Sequence, residues 1–214
     1  QALEAVRRLQ LVHGQAPGFI LKKAIRRYGG RSYMQGYPYV YCVSCDAGSE
    51  SALKSDLERQ LHNARVLFPM FDREELKNGA WIVKTRPLLP GYVFIYSETP
   101  IEPHAFYRCQ RVNRLLGYAE PAHSEYTLSG GDLDFAQWVL SHDGHIGVSR
   151  AMLVGDKTTI IDGPLKRYEG EILKIDRRRR SALVAVSVGE MTKNVWLSFH
   201  WMTLKGGVLV DWER

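Results

Sequence analysis

Few residues in this chain have both the type and the spacing for chemistry. Cys42-Val43-Ser44-Cys45 has the spacing of a redox or zinc pair. The surrounding YVYCVSC, residues 39–45, alternates like a strand, so positions three apart point to opposite faces and the two thiols diverge. A reactive Cys-x-x-Cys sits instead at a helix start, where the dipole lowers the first thiol's pKa. No second cysteine pair is present to complete a zinc site, because the chain has only 3 cysteines. His142-Asp143-Gly144-His145 offers two imidazoles in a glycine-containing stretch, which fits a solvated linker better than a metal site. The sequence has no G-x-S-x-G, no phosphate-cradling G-x-x-x-x-G-K-[ST] and no H-E-x-x-H. No catalytic residue, metal or cofactor is expected, and an enzyme is not the reading the residues favour.

Charge carries more information. Four arginines in a row, Arg177 to Arg180, follow a strand-like run and precede another, which puts them on a hairpin tip. Adjacent cations on a tip repel one another, and a polyanion relieves that repulsion while releasing counterions. Lys166 and Arg167 lie on the preceding loop and extend the same edge. The formal net charge of +6 is unevenly spread. Residues 1–36 carry 7 basic and 1 acidic side chains, residues 37–148 carry 10 and 14, and residues 149–214 carry 12 and 8. A basic head, an acidic middle and a basic tail point to segments with different partners.

The elements that must position these groups follow from periodicity. Residues 1–36 read as a basic extension outside the fold, with basic pairs at Lys22-Lys23 and Arg26-Arg27. A first strand covers 39–45. Ser49 is placed to cap a helix from Glu50, and Leu53, Leu57 and Leu61 form its apolar stripe. Val66 to Phe71 reads as a second strand, and Asn78-Gly79 as a hairpin turn with Trp81 to Lys84 returning from it. LLPGYVFIY is a further strand entered through a Pro-Gly turn. Pro103 opens a short helix to about Gln110, Leu115 to Tyr118 is a short strand, and Ser129 to Leu140 is a third helix. The order β-α-β-β-α-β-α describes an α+β sandwich over residues 37–140. Residues 141–150 read as a linker. Residues 151–214 change character. Short strands at 158–161, 171–175, 183–188, 195–197 and 201–203 suggest a small closed barrel.

On the LLPGYVFIY strand Tyr92, Phe94 and Tyr96 share one side, and Val93 and Ile95 the other. One side must be core. The other is either covered by a helix or left as an exposed aromatic patch of the kind that binds partners. No apolar run reaches the roughly 18 residues of a membrane span. No signal peptide is visible and the cysteine count is odd, so a cytoplasmic location is expected.

Three stretches together resemble a known family. GDKTTIIDGPLKRYEGEILKID, from Gly155, resembles a KOW motif. RPLLPGYVFI resembles the Pro-Gly-Tyr-Val strand of the amino-terminal domain of NusG-type transcription factors, and VYCVSCDAGSE that domain's first strand and turn. The order and spacing fit over residues 37 to about 204. The resemblance implies an NGN-like domain followed by an SH3-like KOW barrel. It implies docking on the RNA polymerase clamp through an apolar patch, here Tyr41, Leu88, Leu89, Tyr92 and Phe94. His104 and Arg108 fall in the segment that faces the opposite side of the polymerase cleft. Bridging that cleft favours the closed clamp and suppresses pausing, without bond chemistry. The barrel is implied to recruit a second partner: a termination factor, a ribosomal protein or nascent RNA.

Val40 stands where an aromatic is usual, and Leu165 follows Gly163-Pro164 where phenylalanine is common. Together with KIDRRRR, that leucine resembles the specialised LoaP-type antiterminators, which bind an RNA hairpin. The resemblance then implies an RNA-gripping set of Lys166, Arg167, Arg177, Arg178, Arg179, Arg180 and Lys193, in a monomer. Arginine forks suit phosphate pairs and stack on unpaired bases. The competing expectation is a KOW-type binder of structured RNA in the ribosome or its assembly, with no polymerase contact.

Overall fold

The computed structural model describes residues 36–117, 126–189 and 191–212. The basic extension expected over 1–36 lies outside them except for its last residue, as does Tyr118 at the end of an expected strand. The fold is α+β: a sandwich followed by a β-rich barrel, as the sequence implies.

The first sheet is antiparallel, in the order β2 (Ala64–Leu67), β5 (Tyr92–Ser97), β1 (Tyr39–Ser44), β6 (Arg114–Leu115). Its register pairs Tyr41 with Ile95 and Cys42 with Phe94. Residues opposite each other across a ladder share a face. One face therefore carries Tyr41, Val43, Val93 and Ile95. It packs on Leu53 and Leu57 of α1 (Glu50–Gln60) and Phe106 of α2 (Pro103–Tyr107). The other face carries Val40, Cys42, Phe94 and Tyr96. It packs on Phe135, Ala136 and Val139 of α3 (Gly130–Ser141). Tyr96 sits on this layer with its Oη donating to the Ala136 carbonyl at 2.7 Å.

The start of α1 departs from expectation in its chemistry. Ser49 is at the cap position but its side chain makes no cap hydrogen bond. Glu50 ties the corner together instead, its carboxylate accepting from Gly48 N–H at 2.9 Å and Gly91 N–H at 2.6 Å. Burial alone would raise the Glu50 pKa; the N–H donors, its own included, outweigh it and hold the group below its ordinary value. Gly91 has a φ of +84°, and a Cβ there would stand 2.8 Å from the Cys45 carbonyl oxygen. The LLPG turn is thereby pinned against both the first strand and the first helix.

The run expected as one strand at 66–71 is two. Pro69, with no N–H to donate, separates β2 from β3 (Met70–Lys77), which joins a different sheet with β4 (Ala80–Pro87) and β7 (His145–Ile146). Asn78 and Gly79 have φ of 51° and 80°, so both central residues of the β3–β4 turn are left-handed, as a two-residue hairpin requires.

Residues 141–150, expected as a linker, are structured. They carry β7, which pairs parallel with Met70 and Phe71, and the start of β8 (Ser149–Val154). The barrel runs β10 (Ile172–Asp176), β11 (Ser181–Val188), β12 (Met191–Lys205), β8, β9 (Lys157–Asp162), with β13 (Val208–Asp211) on β12. The two short strands expected at 195–197 and 201–203 are one strand of 15 residues, since nothing between them breaks a ladder. A single buried cluster runs from Val40, Leu88 and Phe94 through Phe135 and Trp138 to Tyr168, Val186 and Phe199. The barrel is thus docked on the α3 side of the sandwich.

Candidate functional site

The apolar face is assembled from two segments. Leu88 and Leu89, on the stretch joining β4 to β5, are fully buried, as is Phe94. Phe94 meets Phe135 of α3 with ring centroids 5.7 Å apart. Tyr92 is half-buried at the start of β5. Tyr41 does not join them. Its side chain is on the opposite face, where its ring lies 5.2 Å from that of Phe106 and its Oη accepts from Ile101 N–H at 2.9 Å. The cause is the strand period: Tyr41 is opposite Ile95, one position out of phase with Phe94. Nor is the face an open patch. α3 covers Phe94 and the barrel reaches Leu88, whose carbonyl accepts from Lys193 Nζ at 3.4 Å. His104 and Arg108 are exposed, on α2 and just after it.

The basic residues divide into two groups. At one end of β11 is the β10–β11 tip. Arg177 donates to Thr158 Oγ1 at 3.1 Å and to the Asp156 carbonyl, so it is held on the barrel. Arg178 is exposed. Arg179 is also exposed, with its Nε 3.7 Å from the Asp176 carboxylate. Arg180 lies 4.4 Å over the Trp81 ring of β4. Of the four guanidinium groups, only that of Arg179 is within ion-pair distance of a carboxylate among the described residues, and loosely.

A second group, Arg167 and Lys193, is tied to the sandwich beyond the far end of β11. Arg167 donates to the Asp134 carbonyl of α3 at 2.8 Å. Lys166 is engaged by the Ile160 carbonyl and the Glu169 carboxylate. At the β11–β12 turn Gly189 N–H donates to Asp132 of α3 at 2.8 Å. Eight residues of strand at about 3.3 Å each separate the two ends of β11 by roughly 23 Å. The seven cations grouped from the sequence therefore do not form one surface. Arg167 and Lys193 reach the sandwich, Arg177 to Arg180 lie on the β10–β11 tip, and Lys166 is held on β9 two residues from the Thr158 that receives Arg177.

Sequence reasoning missed the seam between the domains. Glu74 of β3 is buried; its N–H donates to Ser198 Oγ at 3.0 Å, and its Oε1 is 3.1 Å from His200 Nδ1. On α3 Trp138 stands edge-on to Tyr168 at 5.4 Å. Glu74 Oε2 and Trp138 Nε1 are buried without a partner among the described residues. Burial raises the Glu74 pKa, partly offset by His200 and Arg180 and reinforced by Asp211. Nothing in the strand pattern around Glu74 marks it as buried, because its burial is supplied by a strand 124 residues away.

The remaining candidates are structural. Cys42 belongs to the α3-side core and Cys45 to the α1-side core. Burial raises the thiol pKa at both, to about 11 at Cys45. His142 Nδ1 contacts the Trp138 carbonyl at 2.8 Å, and His145 Nε2 the Asp72 carboxylate at 2.8 Å. Among the described residues no three His, Cys, Asp or Glu side chains gather as a metal group, and no helix is long and apolar enough to cross a membrane.

Residues 39–128 match the sequence model of the family described as "NusG: Transcription termination factor nusG". The chain is 21% identical over 168 residues to the transcription termination/antitermination protein NusG of Rickettsia typhi, covering 75% of this chain and 86% of that protein. It is 25% identical over 169 residues to the NusG of Treponema pallidum, covering 69% and 88%. Among solved structures it is similar to one described as "Domain interaction in Thermotoga maritima NusG", at 19% identity and a TM-score of 0.42, over 75% of this chain and 93% of that one. The resemblance to NusG-type transcription termination/antitermination factors holds.

Proposed function

We propose that this chain is a transcription elongation factor of the NusG type that acts as a processive antiterminator. Its sandwich binds RNA polymerase at the clamp through the face of Leu88, Leu89, Tyr92 and Phe94, with His104 and Arg108 toward the opposite side of the cleft. Its barrel binds nascent RNA through the β10–β11 tip, in the cytoplasm and as a monomer. The observation that carries the reading is that tip: Arg178 and Arg179 are exposed, Arg179 facing Asp176 only at 3.7 Å, on a domain joined to a NusG-type one. The tip, with Gly163-Pro164-Leu165, also supports the LoaP-type subdivision. Tyr41 is left out of the polymerase surface because it is on the wrong face. Arg167 and Lys193 act first in seating the barrel, and with Lys166 reach RNA or a termination factor or ribosomal protein once it leaves.

The docked barrel has a consequence. Polymerase cannot reach Leu88 and Phe94 unless the barrel moves and α3, a helix of the sandwich itself, also shifts from Phe94. The seam supports such movement. Its cross-domain contacts join an apolar cluster around Trp138, Tyr168 and Val186 to polar ones at Glu74 and Ser198, and both unpartnered buried atoms, Glu74 Oε2 and Trp138 Nε1, lie on it. Each unsatisfied group costs about 1–3 kcal/mol, a cost removed when water reaches it. Polymerase then selects the open population rather than forcing it.

The test is transcription in vitro past a terminator, on templates carrying candidate leader sequences, together with a pull-down on core RNA polymerase. Read-through on a subset of leaders, and polymerase binding that survives Arg178→Ala/Arg179→Ala, are expected. Binding to ribosomes without polymerase overturns the reading in favour of a ribosomal KOW protein.

A further inference from the structure

The β3–β4 hairpin leaves one edge of its sheet open. The strand order is β4, β3, β7, so β4 is paired on one side only. The two-residue Asn78-Gly79 turn sets the phase of the ladder. Lys77 and Ala80, which flank it, exchange hydrogen bonds, and so do Glu75 with Ile82 and Arg73 with Lys84. The residues between them direct their backbone groups outward. On β3 these groups find partners: Met70 N–H donates to the Gly144 carbonyl at 2.8 Å and Glu74 N–H to Ser198 Oγ at 3.0 Å. On β4 the corresponding residues are Trp81, Val83 and Thr85, and among the described residues no hydrogen bond reaches their outward backbone. The pairing runs from Met70–Pro87 to Lys77–Ala80 without a bulge. Edge strands are commonly blunted by bulges, prolines or charge, and along β4 up to Pro87 charge alone does so. Residues opposite each other share a face, so Arg73, Glu75 and Lys77 lie with Ile82, Lys84 and Arg86. Glu75 is the one carboxylate among four cations on this face, 2.8 Å from Lys84, 2.6 Å from Arg86 and 3.9 Å from Arg73. Arg73 and Lys84 stand directly opposite, a like-charge pair that weakens a ladder. The other face of the hairpin carries Leu76 and Val83, exposed at 60% and 53%.

We infer that the open edge of β4 is a docking site for an extended segment of a partner protein, one that alternates acidic and apolar side chains and joins the sheet as an added strand. The outward N–H and C=O groups of Trp81, Val83 and Thr85 supply the ladder. Carboxylates on one side of the guest lie beside Lys84 and Arg86 and relieve the repulsion between Lys84 and Arg73. Apolar side chains on its other side cover Val83. The charge that selects this guest also rejects other occupants. A second copy of the chain would set two strands bearing Lys84 and Arg86 side by side, which like charges oppose. The chain's own residues 1–36 carry 7 basic side chains to 1 acidic and are repelled in the same way. A nucleic-acid backbone would meet the cations, but its phosphates would also face the outward carbonyls of β4, acceptor against acceptor. The site stands on the sandwich and does not depend on the RNA role of the barrel tip.

The test uses the full chain and fluorescent decapeptides in anisotropy titrations at low salt. One peptide alternates glutamate with valine, a second has lysine for each glutamate, and a third is the first with alternate backbone nitrogens methylated so that it cannot pair. The glutamate peptide is expected to bind, the lysine peptide about tenfold or more weakly than it, and the methylated peptide not measurably. Lys84→Gln/Arg86→Gln is expected to weaken binding of the glutamate peptide about tenfold and to erase its advantage over the lysine one. Val83→Pro removes an outward N–H while leaving the bonds to β3, a position where an edge strand tolerates proline, and is expected to abolish binding. Equal binding of the glutamate and lysine peptides overturns the acidic guest, and so does unchanged binding by Lys84→Gln/Arg86→Gln, folded by its melting curve. Equal binding of the methylated peptide overturns strand addition, whether or not Val83→Pro folds. A dimer in sedimentation velocity that Val83→Pro dissolves gives the edge to a second copy instead. Displacement of the peptide by a single-stranded RNA dodecamer whose affinity falls in Lys84→Gln/Arg86→Gln gives the face to nucleic acid.

Discussion

Replacing Ser198 by alanine tests the domain seam with one atom. The Ser198 hydroxyl is the acceptor for the buried Glu74 N–H, at 3.0 Å across the interface. Alanine leaves the fold of either domain its own hydrogen bonds but strands that N–H while the barrel is docked. A buried unsatisfied donor costs about 1–3 kcal/mol, and the cost vanishes in the open form, where water replaces the hydroxyl. The open population therefore rises by roughly 5- to 150-fold. When the closed form dominates, the apparent dissociation constant of a ligand selecting the open form falls by the same factor. Single-molecule energy transfer between dyes on Ser51→Cys and Asp156→Cys reads the population directly, and binding to core RNA polymerase reads its consequence. An unchanged transfer distribution refutes the account of the seam. A shifted distribution with unchanged polymerase affinity refutes the assignment of the covered face as the polymerase surface.

Glu74 makes the seam sensitive to pH. Its carboxyl binds a proton more tightly in the docked protein than in the unfolded chain. Its favourable contribution is thus full below the ordinary value of 4.5 and is lost as the pH rises through the raised one. Glu74→Gln, which cannot ionise, should gain melting temperature relative to the unaltered chain on going from pH 5 to pH 8; a difference independent of pH in thermal melts contradicts this. Gly163→Ala should destabilise the barrel by on the order of 3 kcal/mol in urea unfolding, because φ there is +94° and a Cβ would lie 2.7 Å from Ser149 Cα; a loss under about 0.5 kcal/mol would show that the turn relaxes freely. Cys42 and Cys45, buried with raised thiol pKa values, should resist alkylation in the native state and react on unfolding, as mass spectrometry of quenched time points reads.

Much of the fold is legible because its signals are local. Asn78-Gly79 dictates a hairpin by backbone sterics alone, and the structure has both residues left-handed. Leu53 and Leu57 repeat at helical spacing and are the buried residues of α1 with Glu50. The strand period puts Cys42 and Cys45 into different cores. The same period, applied to both strands at once, would have excluded Tyr41 from the face of Phe94, but that step needs the register, which one strand does not carry. Pro69 splits a run that hydrophobicity joins, and β12 joins two that it splits.

The sequence by itself determined the order of sandwich then β-rich barrel, the NusG-type resemblance and an arginine tip on a hairpin, since turn residues, alternation and charge runs act over a few neighbouring positions. Only the tertiary structure decided that α3 covers Phe94 while the barrel reaches Leu88, that Arg167 and Lys193 lie apart from the arginine tip, and that Arg178 and Arg179 share a cleft with Arg73. Those outcomes depend on which surfaces fit each other after folding. Glu74 and Ser198, 124 positions apart, meet because two finished domains are complementary there, and no local pattern in either segment encodes the other.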